Sequence, residues 1–231
     1  PTRLTFTFLA VGLSMLLFGS TTLMMSTMEE MTVGSVEDDQ NWDIQANVLF
    51  GGEDGVIQWA DDKGGYHERI ITFPANAVND SRVILAYGMD VISTENGALV
   101  ELDVKEGMLP EVGRETYQIL IDEGLTHFLG WSTGETRPLV FGSTPTSVEI
   151  VGITQGEISR TVYFHRSDLS EIVGIEATAV LIDLPEGEVA DSELGDVSLV
   201  VFEKGDMVSS YESILEQQQG FARQIFSRSR S

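Results

Sequence analysis

Ile119-Leu120-Ile121-Asp122-Glu123-Gly124-Leu125-Thr126-His127-Phe128-Leu129-Gly130-Trp131-Ser132-Thr133-Gly134-Glu135-Thr136 joins a strand, a short helix and a tight return in one run, and it decides the fold class. The apolar residues of Tyr117–Ile121 read as a buried strand. Glu123–Leu129 follows as a short helix, and Gly130 sits where a helix ends in a left-handed residue. Gly134 permits a second positive-φ turn before the next strand, Arg137–Phe141. A strand leading into a helix and back to strand predicts mixed α and β structure.

Outward from this run the same pattern continues. Downstream, strands are expected at Ser147–Thr154, Thr161–Phe164, Ile175–Leu184 and Val197–Phe202, with a short helix after Phe164 capped by Ser167 or Asp168. Upstream, Trp42, Ile44, Ala46, Val48 and Phe50 alternate as one face of a half-buried strand. Glu53–Asp62 reads as a helix closed by Gly64-Gly65, and strands are expected at Arg69–Phe73, Arg82–Tyr87 and Ala98–Val104. The expected fold is α+β: a mixed body at 31–208 with a β-rich insertion at about 112–166, and no internal repeat.

Leu4–Met28 carries no charge over 25 residues, enough to span about 37 Å as a helix, so a transmembrane helix is expected at 1–30. A cleaved signal peptide is the rival, with small residues at Gly19-Ser20-Thr21, but the apolar run continues through Leu23, Met24 and Met25. Arg3 precedes the run, while Glu29, Glu30, Glu37, Asp38 and Asp39 follow it. The positive-inside rule then places the N-terminus in the cytoplasm and the main domain outside. At the other end, 209–231 is expected to hold a stalk helix. Tyr211, Ile214, Leu215, Phe221, Ile225 and Phe226 fall at helical spacings before Arg228 and Arg230, and a second membrane span is its natural continuation.

The chain has 231 residues, with 37 Asp+Glu against 13 Lys+Arg and a formal net charge of −24. All the acids lie between Glu29 and Glu216, with only 9 of the cations once Arg3, Arg223, Arg228 and Arg230 are set aside, so that span carries −28. Such a charge repels phosphate backbones and excludes nucleic acid as a partner. Lysine occurs only at Lys63, Lys105 and Lys204; an acidic, lysine-poor exterior predicts a halophilic source, with an ordinary acidic extracellular domain as the alternative. With no cysteine, neither disulfides nor thiolate metal sites are available.

Catalytic and metal-binding patterns are not found in the sequence. His67, His127 and His165 stand in no metal-ligand spacing with one another. Glu37-Asp38-Asp39 and Asp61-Asp62 lack the alternating oxygen spacing of a calcium loop and read as solvated acids. No Gly-x-x-x-x-Gly-Lys occurs, and Gly130-Trp131-Ser132-Thr133-Gly134, though it spells Gly-x-Ser-x-Gly, follows the helix Glu123–Leu129 where a nucleophile elbow would precede one, so no catalytic, cofactor-binding or metal residues are assigned. Gly51-Gly52 and Gly64-Gly65 read as turn glycines.

The order of segments resembles the MacB/FtsX-type ABC transporter permeases. Pro1-Thr2-Arg3-Leu4 into an apolar helix resembles their first membrane span. Val104-Lys105-Glu106-Gly107-Met108-Leu109-Pro110 is similar to their x-x-G-R-x-P segment, with Met108 where an arginine is usual. The run Ile119–Thr136 is similar to their strand, helix and L-G-x-x-x-G-D-x turn. Val148-Glu149-Ile150-Val151-Gly152-Ile153 and Val162-Tyr163-Phe164 are similar to the strands that follow, and Ser167-Asp168-Leu169 to the next helix.

The resemblance implies a first membrane helix carrying a MacB-like extracytoplasmic core domain, as in a halophilic archaeon, and a permease role rather than an enzyme's. It implies as partners an ABC ATPase subunit that binds the ATP, a second permease copy in a homodimer, the lipid bilayer, and an extracytoplasmic substrate or target protein. The work implied is transmission of cytoplasmic ATP-driven motion to the outer domain, for export, extraction or activation. A single-span surface protein, a sensor or adhesin, is the alternative.

Overall fold

The computed structural model describes residues 40–205 except 50, 81, 96 and 156–159. The expected membrane helix, the stalk helix and Glu37-Asp38-Asp39 lie outside the described residues. Among those described, no helix is long and apolar enough to cross a membrane.

In chain order the elements are β1 (Ile44–Asn47), α1 (Glu53–Asp62), β2 (Tyr66–Ala77), β3 (Val83–Met89), β4 (Val104–Gly107), β5 (Tyr117–Asp122), α2 (Glu123–Leu129), β6 (Thr136–Phe141), β7 (Thr144–Thr154), β8 (Thr161–His165), α3 (Arg166–Val173), β9 (Ala179–Asp183), α4 (Ser192–Val197) and β10 (Val200–Glu203). The ten strands form one mixed sheet in the order β10-β1-β9-β2-β3-β8-β5-β7-β4, with β6 bridging β7 back to β2.

That bridge closes a barrel. β2 pairs with β3, β3 with β8, β8 with β5, β5 with β7, β7 with β6, and β6 returns to β2 through Asn76↔Val140 and Ala77↔Leu139. Alternate residues of the six strands fill the interior, as closure requires: Ile71, Ala75 and Ala77, Ile84 and Ala86, Ile119 and Ile121, Leu139 and Phe141, Val148 and Ile150, Val162 and Phe164. Phe141 meets Phe164 edge-on with ring centroids 6.0 Å apart. Leu125 of α2 and Leu169 of α3 join this core, and because β5 and β8 run antiparallel the two helices close the barrel from opposite ends.

A second core lies beside it. Its strands are β1 and β9, with Val201 of β10 against them, and its residues include Ile44, Ala46, Val180 and Ile182 packed against Val56, Trp59 and Ala60 of α1 and Leu194 of α4. β2 connects the two by pairing: Tyr66–Ile70 pairs with β9, and Ile70–Ala77 with β3 and β6. Residues 112–166, the expected β-rich insertion, supply β5–β8 and α2 to the barrel, while β2 and β3 come from outside that segment.

Several local expectations need correction. The strand expected at Ala98–Val104 is only two isolated bridges, Gln40↔Val100 and Ser93↔Glu101, and the regular strand starts at Val104. Ser167 and Asp168 do not cap α3: the helix starts at Arg166, with His165 in the cap position and no side-chain cap bond. The expected strand Val197–Phe202 is divided, because Asp191 accepts from the amides of Glu193 and Leu194 and starts α4, leaving β10 to begin at Val200. Ile175–Leu184 shortens to Ala179–Asp183, Trp42–Phe50 to Ile44–Asn47, and Arg69–Phe73 lengthens to Tyr66–Ala77.

Candidate functional site

Asp122 ends β5 and starts α2. Its Oδ1 accepts from the Leu125 amide at 2.9 Å and its Oδ2 from the Thr161 amide at 2.5 Å, so one buried carboxylate ties helix start to strand start. At the other end of α2, Gly130 takes φ 68°, and Gly134 takes φ 83°, the two positive-φ turns expected from the sequence.

On the α3 side, Arg166 is 8% exposed and gathers three chain segments. Its Nε donates to Asp90 Oδ1 at 2.5 Å, and its Nη1 donates to the Glu176 carbonyl at 2.8 Å and to Glu176 Oε2 at 3.0 Å. Arg69 of β2 donates to the other oxygen of Asp90. Asp90 follows β3, Arg166 opens α3 and Glu176 precedes β9, so the cluster joins the barrel to the second core. The hydrogen bond from Arg166 is the first reason the Glu176 carboxyl lies below its ordinary range. This arrangement fixes geometry, with Arg166 buried at its centre and Glu176 at its exposed rim. Sequence spacing gave no signal for it, since Arg166 and Asp90 are 76 residues apart.

Of the histidines and acids singled out from the sequence, His67 and Asp61 meet as a pair, while His127 and His165 join neither them nor each other among the described residues. His67 Nε2 lies 3.2 Å from Asp61 Oδ1 on the surface, and His165 Nε2 is 2.8 Å from the Pro110 carbonyl. His127 is exposed in the last turn of α2. Among the described residues no three His, Asp or Glu side chains come together as a metal site.

Val104, Gly107, Met108 and Leu109 line a shallow, open depression of about 410 Å³ with Thr94, Glu101, Leu102 and Asp103. Gly107 and Gly152 pair directly across β4 and β7 at its edge. A Cβ on Gly152 would stand 2.7 Å from the Glu106 carbonyl oxygen and 2.8 Å from that of Met108, so the backbones approach closely there. β5 and β7 shift register there too, Val151 being the extra residue.

The two ends of the described chain leave side by side. β1 and β10 are antiparallel neighbours with Ile44 opposite Glu203, the Lys204 amide donates to the Asp43 carbonyl at 2.8 Å, and Lys204 Nζ donates to the Gln40 carbonyl.

No protein-family model matches the sequence, and no curated protein matches it. Among solved structures the chain is similar to the periplasmic region of MacB from Actinobacillus actinomycetemcomitans, at 12% identity and TM-score 0.46 over 74% of this chain and 92% of that one. It is also similar to the extracellular domain of the ABC-type transporter YknZ from Gram-positive bacteria, at 12% identity and TM-score 0.43 over 75% and 95%. A domain of a permease protein from Porphyromonas gingivalis is similar at 12% identity and TM-score 0.35 over 57% and 65%. Likeness at this level fixes neither activity nor partner.

Proposed function

We propose that this chain is the extracytoplasmic part of an ABC transporter permease of the MacB/FtsX type, carried by the apolar segment Leu4–Met28 and driven by a separate ATPase subunit. The observation that carries this reading is the pairing of β1 with β10, which brings the incoming and outgoing chain to one place. A domain entered and left through neighbouring strands is suited to being moved by two flanking segments. From that place β2 runs on into the barrel, and its 12 residues extend roughly 40 Å at about 3.3 Å per residue. Packed strands transmit a shift instead of absorbing it, so motion applied at the chain ends reaches the far end of the barrel without any catalytic chemistry in this domain.

The partners of this reading are the ATPase, a second permease copy and an extracytoplasmic target. It is tested by topology: Ser143→Cys in the exposed β6–β7 turn should react with an impermeant maleimide in intact cells, and labelling only after lysis would overturn it.

A further inference from the structure

We propose that Asn79 is an N-glycosylation site, its side-chain amide taking an oligosaccharide from a polyprenyl-linked donor; the compartment in which that donor is met rests on the permease reading. Asn79-Asp80-Ser81 is the one Asn-x-Ser/Thr triplet among the chain's five asparagines, since Asn41, Asn47, Asn76 and Asn96 have Asp43, Leu49, Val78 and Ala98 two residues on. A three-residue pattern recurs by chance, so its place in the fold decides. Asn79 is exposed in the turn between β2, which ends at Ala77, and β3, which starts at Val83. The other described asparagines are half-buried and engaged. Asn41 and Asn76 donate their amides to the carbonyls of Ala98 and Arg82, and Asn47 Oδ1 accepts from Gln45.

Asn79 has φ 65°, in the left-handed region that asparagine adopts more readily than most residues bearing a side chain. Asp80 holds the rest of the turn: its amide donates to the Ala77 carbonyl at 3.1 Å, and its carboxylate accepts from the Arg82 amide at 2.9 Å and from Arg82 Nε at 2.8 Å. These bonds close the turn through Asp80 and Arg82, so a sugar on Asn79 disturbs none of them. The turn lies at the end of β2 remote from the Tyr66–Ile70 pairing with β9, and a sugar there stands clear of the second core.

The transfer is a substitution without redox change. The Asn79 amide nitrogen bonds to the anomeric carbon of the donor sugar. The bond from that carbon to the polyprenyl phosphate oxygen breaks with its electron pair on the oxygen, and an amide proton passes to a base of the transferase. Such a transferase reads an extended acceptor with a hydroxyl two residues on, and Ser81 enters by sequence alone. Because the folded backbone is left-handed at Asn79, transfer precedes closure of the hairpin, and the fold has only to accommodate the product.

The experiment digests the full-length protein from its native cells with trypsin and follows the peptide 70–82, released by cleavage after Arg69 and Arg82, by mass spectrometry. The expected result is this peptide heavier by an oligosaccharide, with fragment ions placing the sugar on Asn79 and none on Asn76. Ser81→Ala, which leaves the Asn79 amide in place, should abolish the added mass, and Ser81→Thr should retain it. Thermal melting confirms that both variants are folded. An unmodified peptide from the native chain, a sugar on Thr72 or Ser81 instead, or a sugar that survives Ser81→Ala would each overturn the proposal. Ser143→Cys labelling is scored in the same cells: external labelling with an unmodified peptide removes the glycosylation site alone, whereas labelling only after lysis with an unmodified peptide overturns the permease reading as well.

Discussion

Gly107 and Gly152 face each other across β4 and β7, and neither has room for a side chain. Gly107 has φ 87°, and a Cβ there would come 2.6 Å from the Gly152 Cα. Its constraint is therefore double, in backbone conformation and in space. Gly152→Ala or Gly107→Ala must push the two strands apart, at a cost of about 2–4 kcal/mol. Gly113 serves as the comparison: it too has a positive φ, 72°, but open space around its Cβ, so Gly113→Ala should cost only about 1 kcal/mol. Chemical denaturation of the three variants checks the order, and equal losses at Gly113 and Gly152 would show that the close approach is unimportant.

Removing Arg166 leaves Asp90 and the Glu176 carbonyl short of a donor. Arg166→Met should cost about 2–3 kcal/mol, below the range for a fully buried pair because Glu176 is 65% exposed. Arg166→Lys should recover little, since a single ammonium group cannot reproduce a fork that serves Asp90 and Glu176 at once. Hydrogen exchange should rise first in β3 and β9, the strands that the cluster joins. Full rescue by lysine would refute the bidentate account.

Two acidic groups should give opposite pH signatures. Asp191 is held at about 2, first by its hydrogen bond to Lys63, so its contribution is present above its unfolded value near 4 and is lost as pH falls through 2. Asp191→Asn should lower the melting temperature at pH 6 but make no difference near pH 2. Glu68 is 4% exposed and burial pushes its carboxyl up from 4.5. A raised folded value means stability present at low pH and lost as pH rises through it. Glu68→Gln keeps an acceptor for the Tyr66 hydroxyl and stays neutral, so it should gain stability over the native chain at pH 7 relative to pH 4. A gain that is the same at both pH values would contradict the sign.

How much of this was legible in the sequence depended on the range of each interaction. The helix Glu53–Asp62, the run from Tyr117 to Gly130 and the turns at Gly130 and Gly134 are set by neighbours in sequence, and they were read correctly. Asp168 shows the limit. Its Ser-Asp-Leu context suggested a cap, yet its Oδ1 accepts from the Gly113 amide, 55 residues away. Barrel closure rests on the short β6–β2 pairing, which leaves no periodic signal in either strand. The strand expected at Val197–Phe202 is shortened because the Asp191 cap starts α4 and leaves β10 to begin at Val200.

The charge of the domain predicts a dependence on salt. With −28 between Glu29 and Glu216, low ionic strength leaves carboxylates repelling one another in the folded state. The melting temperature should climb between low and molar salt. A flat profile would remove the argument for a halophilic source.

The permease reading itself is tested most directly by purifying the full-length protein from native membranes in mild detergent and measuring what accompanies it. The account predicts an ATP-hydrolysing subunit in equal amount to this chain, together with a second copy of the chain. A protein that purifies alone, without ATPase activity, while Ser143→Cys still labels from outside, would contradict the permease account and leave a single-span surface protein in its place.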